Sequence, residues 1–455
     1  MKKDRSPHLL GSDSIGKLLL EYSLPAIVAM TATSLYNIID RIFIGQGVGA
    51  LAISGLAITL PLMNLGVALG ALVGAGAATL VSIRLGQQRG DEASLILGNT
   101  VILNLIISTI YSVITLIYLD EILILFGASS ATLIYAKQFM QIILAGNVFL
   151  HSYMGLTSIM RSSGYPAKSM IITLITVGIN LILAPVFIFI FKWGIRGAAL
   201  ATMTAQLLGL AAVIVHFIKK ESFLHFIKGH FKLKTEIIRD IFSIGMSPFA
   251  INVCACLIVI IMNLQLVRYG GDYAVGAYGI INSILMCVVM IVIGLTQGMQ
   301  PIAGYNYGAC RFDRVKKVFR YTVMAGTCIT TAGFLMGEIL PRQIAGAFTV
   351  SIELIDLTVP GMRIAMLMFP LAGFQMVTSN FFQSIGRAKI SILLTMSRQV
   401  IFLIPALLVL PVFFGLRGVW AAIPSADLFS SLMTVMVLKN QWNYISAGDT
   451  VITDI

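Results

Sequence analysis

Four polar residues, Thr33, Tyr36, Asn37 and Asp40, recur along one short stretch of the chain. Their spacings of three and four put them on one face of a helix. Hydroxyl and amide groups around a single carboxylate are suited to holding a proton or a small cation. Thr173, Thr176 and Asn180 repeat the spacing further on, and Thr202 and Gln206 follow one turn apart. Together with Asp40 these residues would form a small oxygen-rich site in the first half of the chain. Two readings of Asp40 compete: an interfacial ion pair with Arg41, or an ionisable group lining a cavity. The polar stripe behind Asp40 favours the second. The other half offers different chemistry, because Arg398 and Asp427 each fall deep in an apolar run. They could form a structural pair, form a functional pair, or not touch at all. His151, Arg363, Gln297, Gln300 and Gln375 are lesser candidates, most of them expected to be satisfied locally.

Depth has meaning here because the chain reads as a membrane protein. Of its 455 residues, 58% are hydrophobic and 11% charged, against about 25% charged in an average soluble domain. The mean hydropathy is +0.94. Residues 42–83, 93–119, 138–160, 169–191, 197–218, 241–267, 273–310 and 364–386 contain no Asp, Glu, Lys or Arg. A spanning helix needs about 20 apolar residues, so each run holds at least one. The expected helices lie near 17–40, 53–83, 93–119, 134–160, 166–191, 197–218, 239–268, 274–305, 317–340, 356–384, 389–414 and 418–439. At a rise of 1.5 Å per residue, Asp40 sits about 22 Å beyond Pro25, in the outer third. No P-loop, HExxH or dinucleotide motif is present, and the five cysteines lack zinc spacing. The expectation is therefore no enzyme, no cofactor and no bound metal.

With twelve helices both termini share a side. If that side is the cytoplasm, inward segments carry 22 of the 31 Lys and Arg and outward segments seven. The bias predicts an N-in/C-in, multi-pass membrane protein. It also accounts for the net charge of +12 without a nucleic-acid partner.

The chain repeats itself at an offset of about 222 residues. Ala52, Gly76, Gly86, Arg89 and Asp91 align with Ala274, Gly298, Gly308, Arg311 and Asp313, and Gly164 with Gly386. Gly194-Ile195-Arg196-Gly197 aligns with Gly415-Leu416-Arg417-Gly418, while Asp40 falls on Asn263. Six helices per repeat keep the same orientation, which predicts parallel repeats related by an axis normal to the membrane. The expected fold is an all-α integral membrane protein of 12 transmembrane helices in two pseudo-twofold-related six-helix lobes. Residues 1–218 would form the first lobe, 219–236 a solvated cytosolic linker and 237–455 the second lobe. Gly66, Gly70, Gly74 and Ala78 put small residues on one helix face for close packing.

These motifs resemble those of the MATE (multidrug and toxic compound extrusion) transporters, most closely the MepA-type branch. Leu35-Tyr36-Asn37-Ile38-Ile39-Asp40-Arg41-Ile42-Phe43-Ile44-Gly45 resembles the first-helix signature, and Gly178 through Ile188 the fifth-helix motif. Gly194 through Thr202 resembles the start of helix 6, and Met160 through Pro166 the turn after helix 4. The resemblance implies two lobes in a V, alternating access, and export of lipophilic or cationic compounds against H+ or Na+. It carries over Asp40, Asn180 and Thr202 as coupling residues, with Asn37, Tyr36, Thr33 and Gln206 as a supporting polar face and Arg398–Asp427 as a second-lobe pair. Partners would be small organic cations, other lipophilic drugs and membrane lipids, with the protein a monomer. Many members have Asp before the helix-5 proline, where this chain has Ala184, and that departure leans the reading towards H+. The alternative function is a flippase for lipid-linked saccharide precursors. Flippases of that kind generally need a basic cavity, and here only Arg363 and Arg398 fall within helices. A major-facilitator transporter would share the 6+6 topology, but its usual charged motif between helices 2 and 3 is absent. An intramembrane enzyme would lack a catalytic cluster.

Overall fold

A computed structural model describes residues 9–219, 222–227, 229–349 and 351–447. Lys2, Lys3, Arg5, Lys220 and Lys228, counted above among the inward cations, lie outside the described residues. Every regular element among the described residues is helical. Among the described residues ten helices are long and apolar enough to cross a membrane, and a bent pair meeting at 49° makes one more. The final 55-residue run breaks at Gly415 and counts as two, so ten plus one plus one gives the expected twelve. In chain order α1 is Ile15–Gly47, α2 Ala50–Gly86, α3 Gly90–Ile117, α4 Ser130–Ser162, α5 Pro166–Pro185 and α6 Gly194–Ile218. Then come α7 Thr235–Gly271, α8 Tyr273–Gly308, α9 Phe312–Ile339 and α10, the bent pair Ile352–Met366 and Phe369–Ser384. Finally α11 covers 388–414 and α12 covers 416–447. Exposed large apolar side chains such as Leu20, Ile182 and Phe413 are those of a surface solvated by lipid.

The internal repeat is written into the backbone. Left-handed residues recur at the sequence offset: Gly49 with Gly271, Gln88 with Cys310, Gly164 with Gly386, and Gly194 (φ 59°) with Gly415 (φ 55°). A left-handed turn is cheapest at glycine. The Gly-x-Arg-Gly motif now has a mechanical explanation. Its first glycine makes the turn, and its second brings two backbones into contact. A side chain on Gly197 would collide with the Phe187 backbone, and one on Gly418 with the Leu410 backbone. Each sixth helix therefore starts hard against the end of the fifth.

Prolines do not act alike in this fold. Pro25 and Pro61 lie inside continuous helices. Pro185 lacks the N–H that an α-turn would use, and a π-turn, Val186–Ile190, follows it. A second π segment, Ser397–Leu403, interrupts α11.

Packing divides the chain into two compact units: 1–13 with 28–252, and 14–27 with 253–455. The division runs through α1 and α7, whereas the sequence placed it at the linker. Glycines account for it. Gly76 and Gly245 seat the start of α7 on α2, through the backbones of Ile241 and Leu72. Gly294 and Gly298 seat the start of α1 on α8, at Ile27 and Ser23. Ser23 Oγ also donates to the Leu295 carbonyl at 3.2 Å.

The described part of the linker is docked rather than freely solvated. The Asn99 amide donates to the Lys232 carbonyl (3.0 Å) and its oxygen accepts from Lys234 N–H (2.9 Å). The Phe223 N–H donates to Tyr165 Oη (3.3 Å).

Candidate functional site

Within the first unit the close approach of α5 and α6 sets the geometry. Gly209 leaves room for Thr176 and Tyr153, so the two helices nearly touch. Asn180 on α5 then reaches Thr202 on α6, its Nδ2 donating to Thr202 Oγ1 at 3.1 Å. The same nitrogen donates to Tyr36 Oη on α1 at 3.4 Å. Thr202 Oγ1 donates to the Ala198 carbonyl at 3.1 Å. With that proton committed, the 3.2 Å contact between Tyr36 and Thr202 is a bond donated by the phenol. Three helices are thus tied by three side chains, and every donor in the knot is used.

The acceptors are left over. Asn180 Oδ1 is buried without a hydrogen-bond partner, and so are Gln206 Oε1, one turn beyond Thr202, and Asp40 Oδ1, one turn beyond Tyr36. Asp40 is 8% exposed. The neighbouring Arg41 is exposed and lines a cleft of about 450 Å³ with Ile38, Ile42, Gly45, Gln46 and Ile53. Buried oxygens without partners on α1, α5 and α6, one of them from a carboxylate, suit a species that brings only positive charge or donors.

The sequence-based residues therefore divide. Tyr36, Asn180 and Thr202 are bonded together. Thr33 spends its hydroxyl on the Ala29 carbonyl of its own helix (2.8 Å), and Asn37 is exposed. Thr173 and Thr176 bond back to Ser169 and Ile172. Ala184 is buried, and its position supplies no oxygen beyond the backbone.

In the second unit Arg398 and Asp427 touch, which removes one of the three alternatives. Arg398 Nε lies 2.7 Å from Asp427 Oδ1, with side chains 24% and 1% exposed. Arg398 sits in the π segment of α11, and Asp427 Oδ2 and Gln399 Oε1 have no partner. Gln375 is satisfied locally, donating to the Leu394 carbonyl at 2.9 Å. Arg363 faces Glu338 at 3.7 Å in an exposed position. His151 is the exception among the lesser candidates: it is fully buried, with neither ring nitrogen paired. The signal that could have found it is its one-turn spacing from Asn147 and Gly155 opposite the glycine stripe.

Comparison with known proteins agrees with this architecture. The MatE family model matches residues 25–186 and again 248–408, two segments separated by the repeat offset. The chain is 27% identical to Multidrug export protein MepA of Staphylococcus haemolyticus over 442 residues, 96% of this chain and 97% of that protein. It is 25% identical to MepA of Staphylococcus aureus over the same length, with the same coverage of both chains. Among solved structures it resembles the MATE multidrug transporter DinF-BH, solved in complex with a ligand, with TM-score 0.89 and 35% identity. That likeness covers 98% of this chain and 99% of that one. It also resembles an outward-facing multidrug resistance MATE family transporter of the MOP superfamily, with TM-score 0.92 and 22% identity over 99% of this chain and 100% of that one.

Proposed function

The chain belongs to the MatE family of membrane transporters, and on that premise we propose that it is a secondary active multidrug efflux antiporter exchanging lipophilic or cationic compounds for H+. The printed names of its relatives, multidrug export proteins and a ligand-bound multidrug transporter, support the substrate class. The observation that carries the coupling is Asp40, a buried carboxylate whose Oδ1 has no partner, one turn beyond Tyr36 of the Tyr36–Asn180–Thr202 knot. Protonated, Asp40 is neutral and can itself donate; ionised, it attracts a cation. Each form binds one transported species better than the other, which alternating access requires. With Ala184 in place of a second carboxylate the site is a poor Na+ cage, because a hard cation needs several oxygen ligands held together. Proton coupling is the better fit.

With a single titrating carboxylate, one H+ enters for each drug cation that leaves. No net charge moves, so the exchange uses the pH gradient and gains nothing from the potential, worth about 2.3 kcal/mol per charge per 100 mV. In proteoliposomes an imposed pH gradient is expected to drive efflux of a cationic dye, and a potential alone is not. Efflux driven by voltage alone would sink the one-carboxylate scheme. The assembly is a monomer in the inner membrane with both termini in the cytoplasm.

The basic residues that a flippase would turn towards a pyrophosphate face carboxylates instead: Arg398 faces Asp427 and Arg363 faces Glu338. That pairing supports efflux. A susceptibility panel in an efflux-deficient host separates the two functions. Resistance to several unrelated cations is the expected result. A cell-wall defect on deletion, with no resistance, would favour the flippase.

A further inference from the structure

The first unit holds a second polar cluster, built on α2, α3 and α4 rather than on α1, α5 and α6. Asn147, His151 and Gly155 follow at one-turn spacing on α4, and Gly66, Gly70 and Gly74 do so on α2. The two ladders face each other. Gly74 packs against the Gly155 backbone, and Gly70 lies against the His151 ring, 3.4 Å from Cδ2 to the position of an added methyl. A methyl on Gly66 would stand 3.5 Å from Tyr111 Cε1, 3.8 Å from Asn147 Oδ1 and 3.9 Å from His151 Nε2. These are ordinary contact distances, so the polar ends of Asn147 and His151 come together beside the side-chain-free face of Gly66. On α3, the Asn104 side chain closes over Gly155.

The walls of this junction are polar and unpaired. His151 and Asn104 are fully buried and Asn147 is 2% exposed. Both His151 nitrogens, both Asn104 amide atoms and Asn147 Nδ2 lack a hydrogen-bond partner. The Gly66 backbone lies beside the imidazole, but neither nitrogen meets a partner at hydrogen-bonding geometry. The composition of the set identifies the ligand. A cation wants oxygen or nitrogen acceptors alone and an anion wants donors alone. Here the Asn104 and Asn147 amides donate, while Asn104 Oδ1 and one imidazole nitrogen accept. Water is both donor and acceptor, and a buried water typically makes about three bonds.

We propose that the α2–α3–α4 junction is an internal water-binding site in which ordered water bridges His151 to Asn147 and Asn104. The glycine stripe read from the sequence then does more than bring two helices together, since at Gly66 it leaves the space that water fills.

Radiolytic hydroxyl-radical labelling of the full-length protein in nanodiscs tests this, because radicals born from bound water mark the side chains beside it. His151 is expected to gain oxygen at doses that label His230 of the linker. Met140, 1% exposed in an apolar cluster and intrinsically more reactive, is expected to stay unmodified. The methyl of Gly66→Ala meets its neighbours at ordinary contact distance and takes the place of the proposed water, so it should lower His151 labelling at least fivefold with the melting temperature retained. An unlabelled His151, a Met140 labelled as readily as His151, or labelling unchanged in G66A would each overturn the proposal. The comparison within the wild-type protein stands even if the variant expresses poorly.

Discussion

Two carboxylates lie deep in this chain, and the two units treat them in opposite ways. In the first unit Asp40 rides on α1, is 8% exposed, and faces a knot of neutral groups whose spare atoms are all acceptors. In the second unit Asp427 rides on α12, is 1% exposed, and is held at 2.7 Å by Arg398. The repeat makes the contrast sharper. At the offsets that align the rest of the chain, Asp40 corresponds to Asn263, Gln206 to Asp427 and Thr176 to Arg398. One scaffold therefore carries charge on its first helix and neutral acceptors on its fifth and sixth, and the other carries the reverse. A charge that is neutralised within its own unit has little left to offer a transported ion. A carboxylate whose partners are acceptors keeps its valence for a proton or a cation. Equal burial thus says little about function until the partners are known.

The largest test of this contrast is Asp40→Asn. It is expected to abolish efflux driven by a pH gradient while leaving expression and monodispersity intact, as read by dye efflux and detergent size exclusion. Asp427→Asn should retain transport; equal loss in both variants would erase the distinction between the units. Next is the pair itself. Arg398→Met strands a buried carboxylate and should cost about 3 kcal/mol, the low end for a buried pair because Arg398 is partly exposed. Combining it with Asp427→Leu should recover most of that loss in a thermal melt. An additive double variant would show that the pair is not coupled. Asn180→Ala removes two donated hydrogen bonds and should lower efflux about thirtyfold, at roughly 1 kcal/mol per bond. The smallest effect is expected from Tyr36→Phe, which removes one hydroxyl and should slow efflux only a few-fold, with no change in Asp40 dependence. A loss as complete as that of D40N would make the phenol a direct participant.

Much of the fold was legible because its signals are one-dimensional. Apolar runs mark spans because lipid offers the backbone no hydrogen bonds, and among the described residues each expected segment overlaps a long apolar helix, the bent pair or one side of the run broken at Gly415. The offset of 222 reappears in backbone torsions because a left-handed turn such as Gly194 or Gly415 is cheapest at glycine. The candidate site was legible only in part. Helical spacing put Thr33, Tyr36, Asn37 and Asp40 in one stripe, but a stripe about a hundred degrees wide contains both a bonded and an exposed edge. Tyr36 turns to Asn180 and Thr202, and Asn37 turns away. The docking of the linker hangs on Asn99, one amide in an apolar run with no local mark of its partner 133 residues later.

Local sequence was enough to establish a membrane transporter of paired six-helix repeats, and it placed Asp40, Asn180, Thr202 and Asp427 along their helices. Those properties depend on hydropathy and on periodicity along the chain. Long-range packing settled which acceptors stay unpartnered, that Arg398 reaches Asp427, and that the starts of α1 and α7 pack with the units containing α8 and α2. It also left His151 without a partner in a wall of glycines. These outcomes depend on how each helix is rotated about its axis and how closely its backbone approaches another. Both are set by contacts between residues distant in the chain, which spacing within a single helix does not encode.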